Sequence, residues 1–296
     1  MNISHRATSS QRQAITAIPK PTRNLLQPTG EAIRDFDLIR DGDRILVGLS
    51  GGKDSMGLLQ TLITLRQRAP ISFAIGTATV DPQMPGYDPA PLAQWTAALD
   101  IEHHPVSYSL GRYAHGSLNG TSLCSFCSRM RRGKLYGVAR EQGYNVIALG
   151  HHLDDAAETF LMNSFFGGKL RTMRAAYTID DGDLRVIRPL IYVRERHLQA
   201  NAQISNLPLV EDNCPSCDRK PTQRNAMKQL LNDLEQQHST LFASLKTSLR
   251  PLLSEESSGE EASWSQNSAG DQSIDGSSEQ PIQFMPDPKP AANAIS

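Results

Sequence analysis

The chain has 296 residues with 30 Lys and Arg against 31 Asp and Glu, a net charge of −1 with its eight His neutral. No stretch approaches the ~18 consecutive apolar residues of a membrane span, and no apolar run follows the basic residues of the N-terminus as in a signal peptide, so neither is expected and a cytoplasmic protein is the default expectation. The charge is uneven: residues 251–296 hold eight acids and one base, leaving 23 acids against 29 bases before them, about +6, which suits a polyanionic partner.

Residues 1–22, rich in Ser, Thr and Gln without apolar periodicity, are expected to form a flexible N-terminus. Leu25, Ile33, Phe36 and Ile39 mark a helix from about Arg23 to Ile39, closed by the turn Asp41-Gly42-Asp43. Arg44–Leu49 reads as a buried strand, Met56 to about Arg68 as a helix, Ile71–Val80 as a strand, Pro91–Leu99 as a helix and Ile101–Val106 as a strand. Beyond a Gly-punctuated loop follow a helix Ser128–Gln142, a strand Asn145–Leu149, a helix Asp154–Phe165, a strand Arg185–Ile187 and a helix Arg194–Ile204. This alternation predicts an α/β fold with a parallel sheet covered on both faces. Pro221–Leu234 and Ser239–Leu249 read as extra helices outside the sheet. The domain boundary falls at residues 23–250, with 251–296 a disordered acidic tail whose Ser, Glu, Gly, Gln and Pro cannot bury a core.

Between the first strand and its helix lies Ser50-Gly51-Gly52-Lys53-Asp54-Ser55. Two glycines permit a tight turn that opens N–H groups toward an anion, and the following helix N-terminus favours negative charge. Ser50 and Ser55 add hydroxyls, Lys53 reaches a phosphate, and Asp54 makes sense if Mg²⁺ bridges it to a nucleotide. The spacing is neither GxxxxGK[ST] nor GxGxxG. It resembles the PP-loop of the ATP pyrophosphatases, which implies a Rossmann-like sheet of the adenine nucleotide α-hydrolase type and cleavage of ATP between its α- and β-phosphates.

A second polar stretch, His151-His152-Leu153-Asp154-Asp155, sits where a strand meets a helix, the usual place for ligands in open α/β sheets. Asp154 and Asp155 could help hold Mg²⁺ on pyrophosphate, or could merely cap the helix. His151 or His152 could contact phosphate or move a proton. Asp81, closing the second strand, is a weaker nucleotide or metal candidate.

The four cysteines form two CxxC pairs, Cys124–Cys127 and Cys214–Cys217. In a cytosolic chain such pairs indicate metal or redox chemistry rather than structural disulfides. Arg129, Arg131, Arg132 and Lys134 follow the first pair, and neighbouring cations favour thiolate. An iron–sulfur cluster suits these ligands, with structural zinc and redox thiols as alternatives. Three protein ligands on a [4Fe–4S] cluster would leave one iron open for sulfide.

Taken in order, SGGKDS, Cys124–Gly133, Ala148–Asp155, Phe166-Gly167-Gly168-Lys169, Ile187-Arg188-Pro189-Leu190 and the late CxxC are similar to the tRNA-cytidine(32) 2-sulfurtransferases over roughly residues 23–250. The resemblance implies cluster ligands at Cys124, Cys127 and Cys217, with Cys214 the neighbour left in doubt; from the residues alone either late cysteine serves. It implies ATP as cosubstrate, Mg²⁺ at Asp54 and Asp155, tRNA as substrate and a cysteine desulfurase as sulfur source. The basic residues near the first CxxC, with Lys169, Arg171 and Arg174, would contact an RNA backbone. The sequence leaves the oligomeric state open and allows a homodimer. The rivals are a PP-loop ligase with another substrate and a zinc-stabilised tRNA-binding protein.

Overall fold

Continuous apolar runs in the strands, and apolar residues near a period of 3.6 in the helices, are what bring the chain together around one sheet. The computed structural model describes residues 20–84, 86–108, 123–179, 181–210 and 222–254. Its elements are α1 (Arg23–Asp35), β1 (Arg44–Gly48), α2 (Lys53–Arg66), β2 (Ala74–Asp81), α3 (Ala90–Ala98), β3 (Glu102–Ser107), α4 (Leu123–Gln142), β4 (Val146–Ala148), α5 (Leu153–Gly167), β5 (Ala176–Thr178), β6 (Arg185–Ile187), α6 (Glu195–Ile204), α7 (Gln223–Gln237) and α8 (Leu241–Leu249).

The six strands are ordered β3-β2-β1-β4-β6-β5. All neighbours run parallel except β5, which pairs antiparallel with β6. The strands are short apolar runs because both faces are covered. Ile45 and Val47 of β1 join Val146, Ala148 and Ile187 in the larger core, beneath α1, α2, α5 and α6. Leu46, Ile147, Val186 and Ala78 point the other way, onto Leu135, Val138 and Ala139 of α4.

From β1 the chain winds outward through β2 to β3, then returns to the other side of β1 with β4. The strand order therefore reverses between β1 and β4, and the crevice beyond their carboxyl ends is where such sheets take ligands. The SGGKDS loop leaves β1 there, and the HHLDD stretch leaves β4 there.

The structure departs from the sequence reading at four places. α2 begins at Lys53, three residues before the expected start, so Lys53, Asp54 and Ser55 form its first turn. α4 begins at Leu123 and runs through the first CxxC instead of following it. β5 is a three-residue edge strand, too short for its alternation to register. The folded part continues past residue 250: Leu253 is fully buried and its carbonyl accepts from Ala175 N–H at 2.9 Å.

Candidate active site

The phosphate loop is shaped by its own hydroxyls. Ser55 Oγ donates to Gly52 O at 3.0 Å, accepts from Ser50 N–H at 3.2 Å and lies 3.1 Å from Ser50 Oγ. Gly51 takes φ +86°, and a Cβ there would stand 2.7 Å from Cβ of Val210, so no other residue fits. Gly52 caps α2 without a side-chain hydrogen bond, leaving the first-turn N–H groups to an incoming anion. Gly150 lets the loop after β4 press on this turn: a Cβ there would lie 3.1 Å from Asp54 C and Ser55 N.

Asp54 is the pivot of the electrostatics. Its Oδ2 accepts from Lys53 Nζ at 3.1 Å, while its Oδ1 is buried with no hydrogen-bond partner. Burial pushes its carboxyl up, against the lowering pull of His152 and Lys53. A buried, unsatisfied carboxylate oxygen of this kind fits a divalent cation. Lys53 also reaches Glu195 Oε1 at 3.0 Å. Burial lowers the Lys53 ammonium, but Asp54 and Glu195 outweigh it and the net displacement is upward. Burial likewise raises Glu195, yet Lys228 at 2.6 Å and Lys53 hold it down at about 2.

On the β4 side, His152 and Asp155 form a capping box on α5: Asp155 N–H donates to His152 Nδ1 at 3.3 Å, and His152 N–H donates to Asp155 Oδ2 at 3.0 Å. With Nδ1 accepting, Nε2 carries the proton and faces Asp155 Oδ2 at 3.5 Å and Asp54 Oδ1 at 3.9 Å. Asp155 Oδ1 accepts from Arg224 Nη2 at 2.5 Å. His151 accepts at Nδ1 from Arg188 Nε at 3.4 Å. Burial, and then Arg188, hold its imidazole well below the usual histidine range, so it is neutral at physiological pH.

A cavity of about 430 Å³ gathers these groups: Ser50, Asp54 and Ser55 from one loop, His151 and Asp155 from the other, and Cys127, Arg131 and Arg132 from α4. Pro82, Met84 and Tyr87, after β2, line its other side, with Tyr87 Oη donating to Ser50 O at 3.3 Å.

The sequence candidates divide accordingly. Asp54, Asp155, His151, Ser50, Ser55 and Cys127 come together, while Asp154 does not join them. Its carboxylate accepts from Arg194 Nε at 3.2 Å and caps α6 through Glu195 N–H at 2.8 Å. Asp81 accepts from Gln83 N–H at 2.7 Å and so holds the turn that follows β2. Gly51, Gly52 and Lys53 build the loop behind the cavity wall. Cys124 lies in α4, whereas Cys214 and Cys217 fall outside the described residues. Among the described residues no group of three potential metal ligands is gathered.

The flanks of residues 211–221 are nevertheless anchored at the site, one on the phosphate loop and one on α5. Val210 N–H donates to Gly51 O at 3.0 Å, and Arg224 pairs with Asp155 and with Glu158, the latter at 2.7 Å. Sequence reading gave no site role to Arg188, though it stands in one of the motifs that carry the resemblance, nor to Glu195 or Arg224. Arg224 stands 69 residues from Asp155, and no local pattern links them. For Arg188, a cation directly after the carboxyl end of β6 was the available signal.

Residues 21–235 match the model of the PP-loop domain family. A tRNA-cytidine(32) 2-sulfurtransferase of Geobacter sulfurreducens is 41% identical over 230 residues, covering 77% of this chain and 89% of that one. Its counterpart in Aliivibrio salmonicida is 39% identical over 248 residues, 83% of this chain and 79% of that one. Among solved structures, the U34-tRNA thiolase NcsA from Methanococcus maripaludis, with its [4Fe–4S] cluster, shares the fold at a TM-score of 0.62 and 22% identity, over 78% of each chain. With nine-tenths of a curated relative spanned and the two loops meeting where the sheet reverses, this chain belongs to the PP-loop family and, within it, to the tRNA-cytidine(32) 2-sulfurtransferases.

Proposed function

We propose that the chain converts cytidine 32 of a tRNA anticodon loop to 2-thiocytidine at the expense of ATP. One observation carries the reading: Cys127 of the first CxxC lines the same cavity as Asp54 of the phosphate loop, so activation and sulfur chemistry share a wall. In the first half-reaction the cytidine O2 attacks the α-phosphorus of ATP, the bond to the β-phosphate oxygen breaks, and pyrophosphate leaves. In the second, hydrosulfide adds at C2, its proton is released, and the C2–O bond breaks with AMP taking the electron pair.

The first-turn N–H groups of α2, with Ser50 and Ser55, bind the polyphosphate. Asp54 would hold Mg²⁺ through its unsatisfied Oδ1, and the ion bound there would supply positive charge beside the pyrophosphate. Asp155, both of whose oxygens are engaged, acts by orienting His152 toward Asp54. His151, neutral with its proton on Nε2, donates a hydrogen bond into the cavity without adding charge. When bound by Cys124, Cys127 and Cys217, a [4Fe–4S] cluster supplies the place from which sulfide is delivered. A three-thiolate donor set suits iron, and the anchoring of residues 210 and 224 at the site supports the late pair's taking part. The sulfur would come from a cysteine desulfurase persulfide, its outer sulfur released as hydrosulfide by two electrons from an external thiol pair that closes to a disulfide.

Nucleoside mass spectrometry of tRNA from cells lacking the protein tests the reading. Loss of 2-thiocytidine alone is the expected result, and unchanged 2-thiocytidine would sink it. Iron with acid-labile sulfide in anaerobically purified protein, rather than zinc, separates the sulfurtransferase from a zinc-stabilised tRNA-binding protein.

A further inference from the structure

Beyond the cavity, the C-terminal end of α5 carries an apolar cluster that the fold does not use. Phe165 is 59% exposed, Phe166 55% and Leu170 75%, the three most exposed large hydrophobics among the described residues apart from Ile204. Interleaved with them are Lys169, Arg171 and Arg174, and no acid occurs from Thr159 to Ile179. Apolar surface of this kind, left in water beside positive charge, marks a contact site.

The chain's path ties this patch to the cavity. After α5 the segment doubles back along the helix: Asn163 Nδ2 donates to Arg171 O at 3.0 Å, and Thr172 Oγ1 donates to Ala156 O at 2.6 Å. Arg188 then donates to Arg174 O while its Nε reaches His151 on the cavity wall. The basic residues are thus spaced from the aromatic pair back toward the site. Along α5, Asp155 and Phe165 are separated by about 15 Å, about four nucleotides at 3.4 Å per stacked step.

We propose that Phe165 and Phe166 form a stacking platform for unpaired bases of the RNA substrate, with Lys169 and Arg171 holding the adjoining phosphates. The inference rests on RNA being the substrate, as argued above, and assigns the face that grips it beyond the reacting nucleotide. Aromatic rings take any base, while cations follow the backbone. A second copy of the chain fits less well: a two-fold contact sets a patch against itself, bringing Lys169, Arg171 and Arg174 against the same three cations.

The test is the affinity of full-length, anaerobically purified protein for unmodified tRNA transcript, measured by anisotropy across a salt series. Phe165→Leu/Phe166→Leu keeps the apolarity but removes the rings, and should weaken binding by about tenfold with an unchanged salt slope. Lys169→Gln/Arg171→Gln should flatten that slope by about two. Phe165→Tyr/Phe166→Tyr should restore wild-type affinity. Wild-type protein that does not bind the transcript would overturn the substrate reading itself. Wild-type binding that both the Leu and Gln pairs retain would overturn the platform alone. A change from dimer to monomer in sedimentation of the Leu pair, at undiminished affinity, would assign the face to a second copy instead.

Discussion

Asp54 shows how a single residue's burial becomes chemistry. Its Oδ1 is buried without a hydrogen-bond partner, and burial raises its carboxyl; both make sense once a cation shares the site. Asp54→Ala is expected to lower ATP-dependent pyrophosphate release by about a hundredfold or more, while iron content stays at the wild-type level. Unchanged turnover would take Asp54 out of the mechanism. Gly150 matters for its lack of a side chain, because an added Cβ meets the Asp54 and Ser55 backbone at 3.1 Å. Gly150→Ala should displace that turn and cost about 10- to 100-fold in kcat/KM for ATP, with Tm within a degree or two of the parent. Among the cysteines, Ala at 124, 127 or 217 should each abolish iron binding and thiolation, and Cys214→Ala should keep the iron. Were Cys214→Ala the variant that loses it, the two late cysteines would exchange roles.

At the level of elements, α6 is joined to α2 through charge. Lys53 and Lys228 converge on Glu195 at 3.0 and 2.6 Å, holding its carboxyl at about 2 against the raising effect of burial. A carboxylate whose folded pKa is depressed adds stability above its unfolded pKa, near 4.5, and loses it as pH falls from there toward 2. Tm measured from pH 7 to pH 3 should therefore fall less steeply in Glu195→Gln than in the parent, from a lower value at pH 7. Parallel curves would show that the network is unimportant to stability. This network also marks where sequence reading stops. The strand–SGGKDS–helix and strand–HHLDD–helix units are contiguous, so glycine, hydroxyl and carboxylate positions disclosed them directly. The partners of Asp154, Asp155 and Lys53 come from α6 and α7, and only packing decides that Asp154 faces Arg194 while Asp155 faces the cavity. The start of α4 had a weak local signal that went unused: Ser122, a preferred capping type, stands directly before Leu123, but without the Glu or Gln three residues on that would strengthen it.

For the whole molecule, Leu253 is the last buried core side chain among the described residues. Leu253 is fully buried, and its carbonyl closes a hydrogen bond to Ala175, just after the segment that returns along α5. Beyond it the sequence is rich in Ser, Glu and Gly with few large apolar side chains, a composition that predicts too little burial to offset the entropy of ordering. Leu253 and the chain beyond it should respond differently to change. Leu253→Ala removes a buried leucine, at a cost of about 2–5 kcal/mol. For a folded part of this size each kcal/mol is worth roughly 2–4 °C, so Tm should drop by about 4–20 °C. Removing residues 255–296 deletes far more chain yet should move Tm by no more than about 1 °C, with pyrophosphate release unchanged. The removed segment holds all eight acids counted beyond residue 250, so truncation also changes the charge of the chain from −1 to about +6. Affinity for tRNA at low salt should then stay level or rise, because a polyanion meets less repulsion. A Tm loss on truncation comparable to that of Leu253→Ala would show that the acidic residues dock on the folded part, and the composition argument would fail.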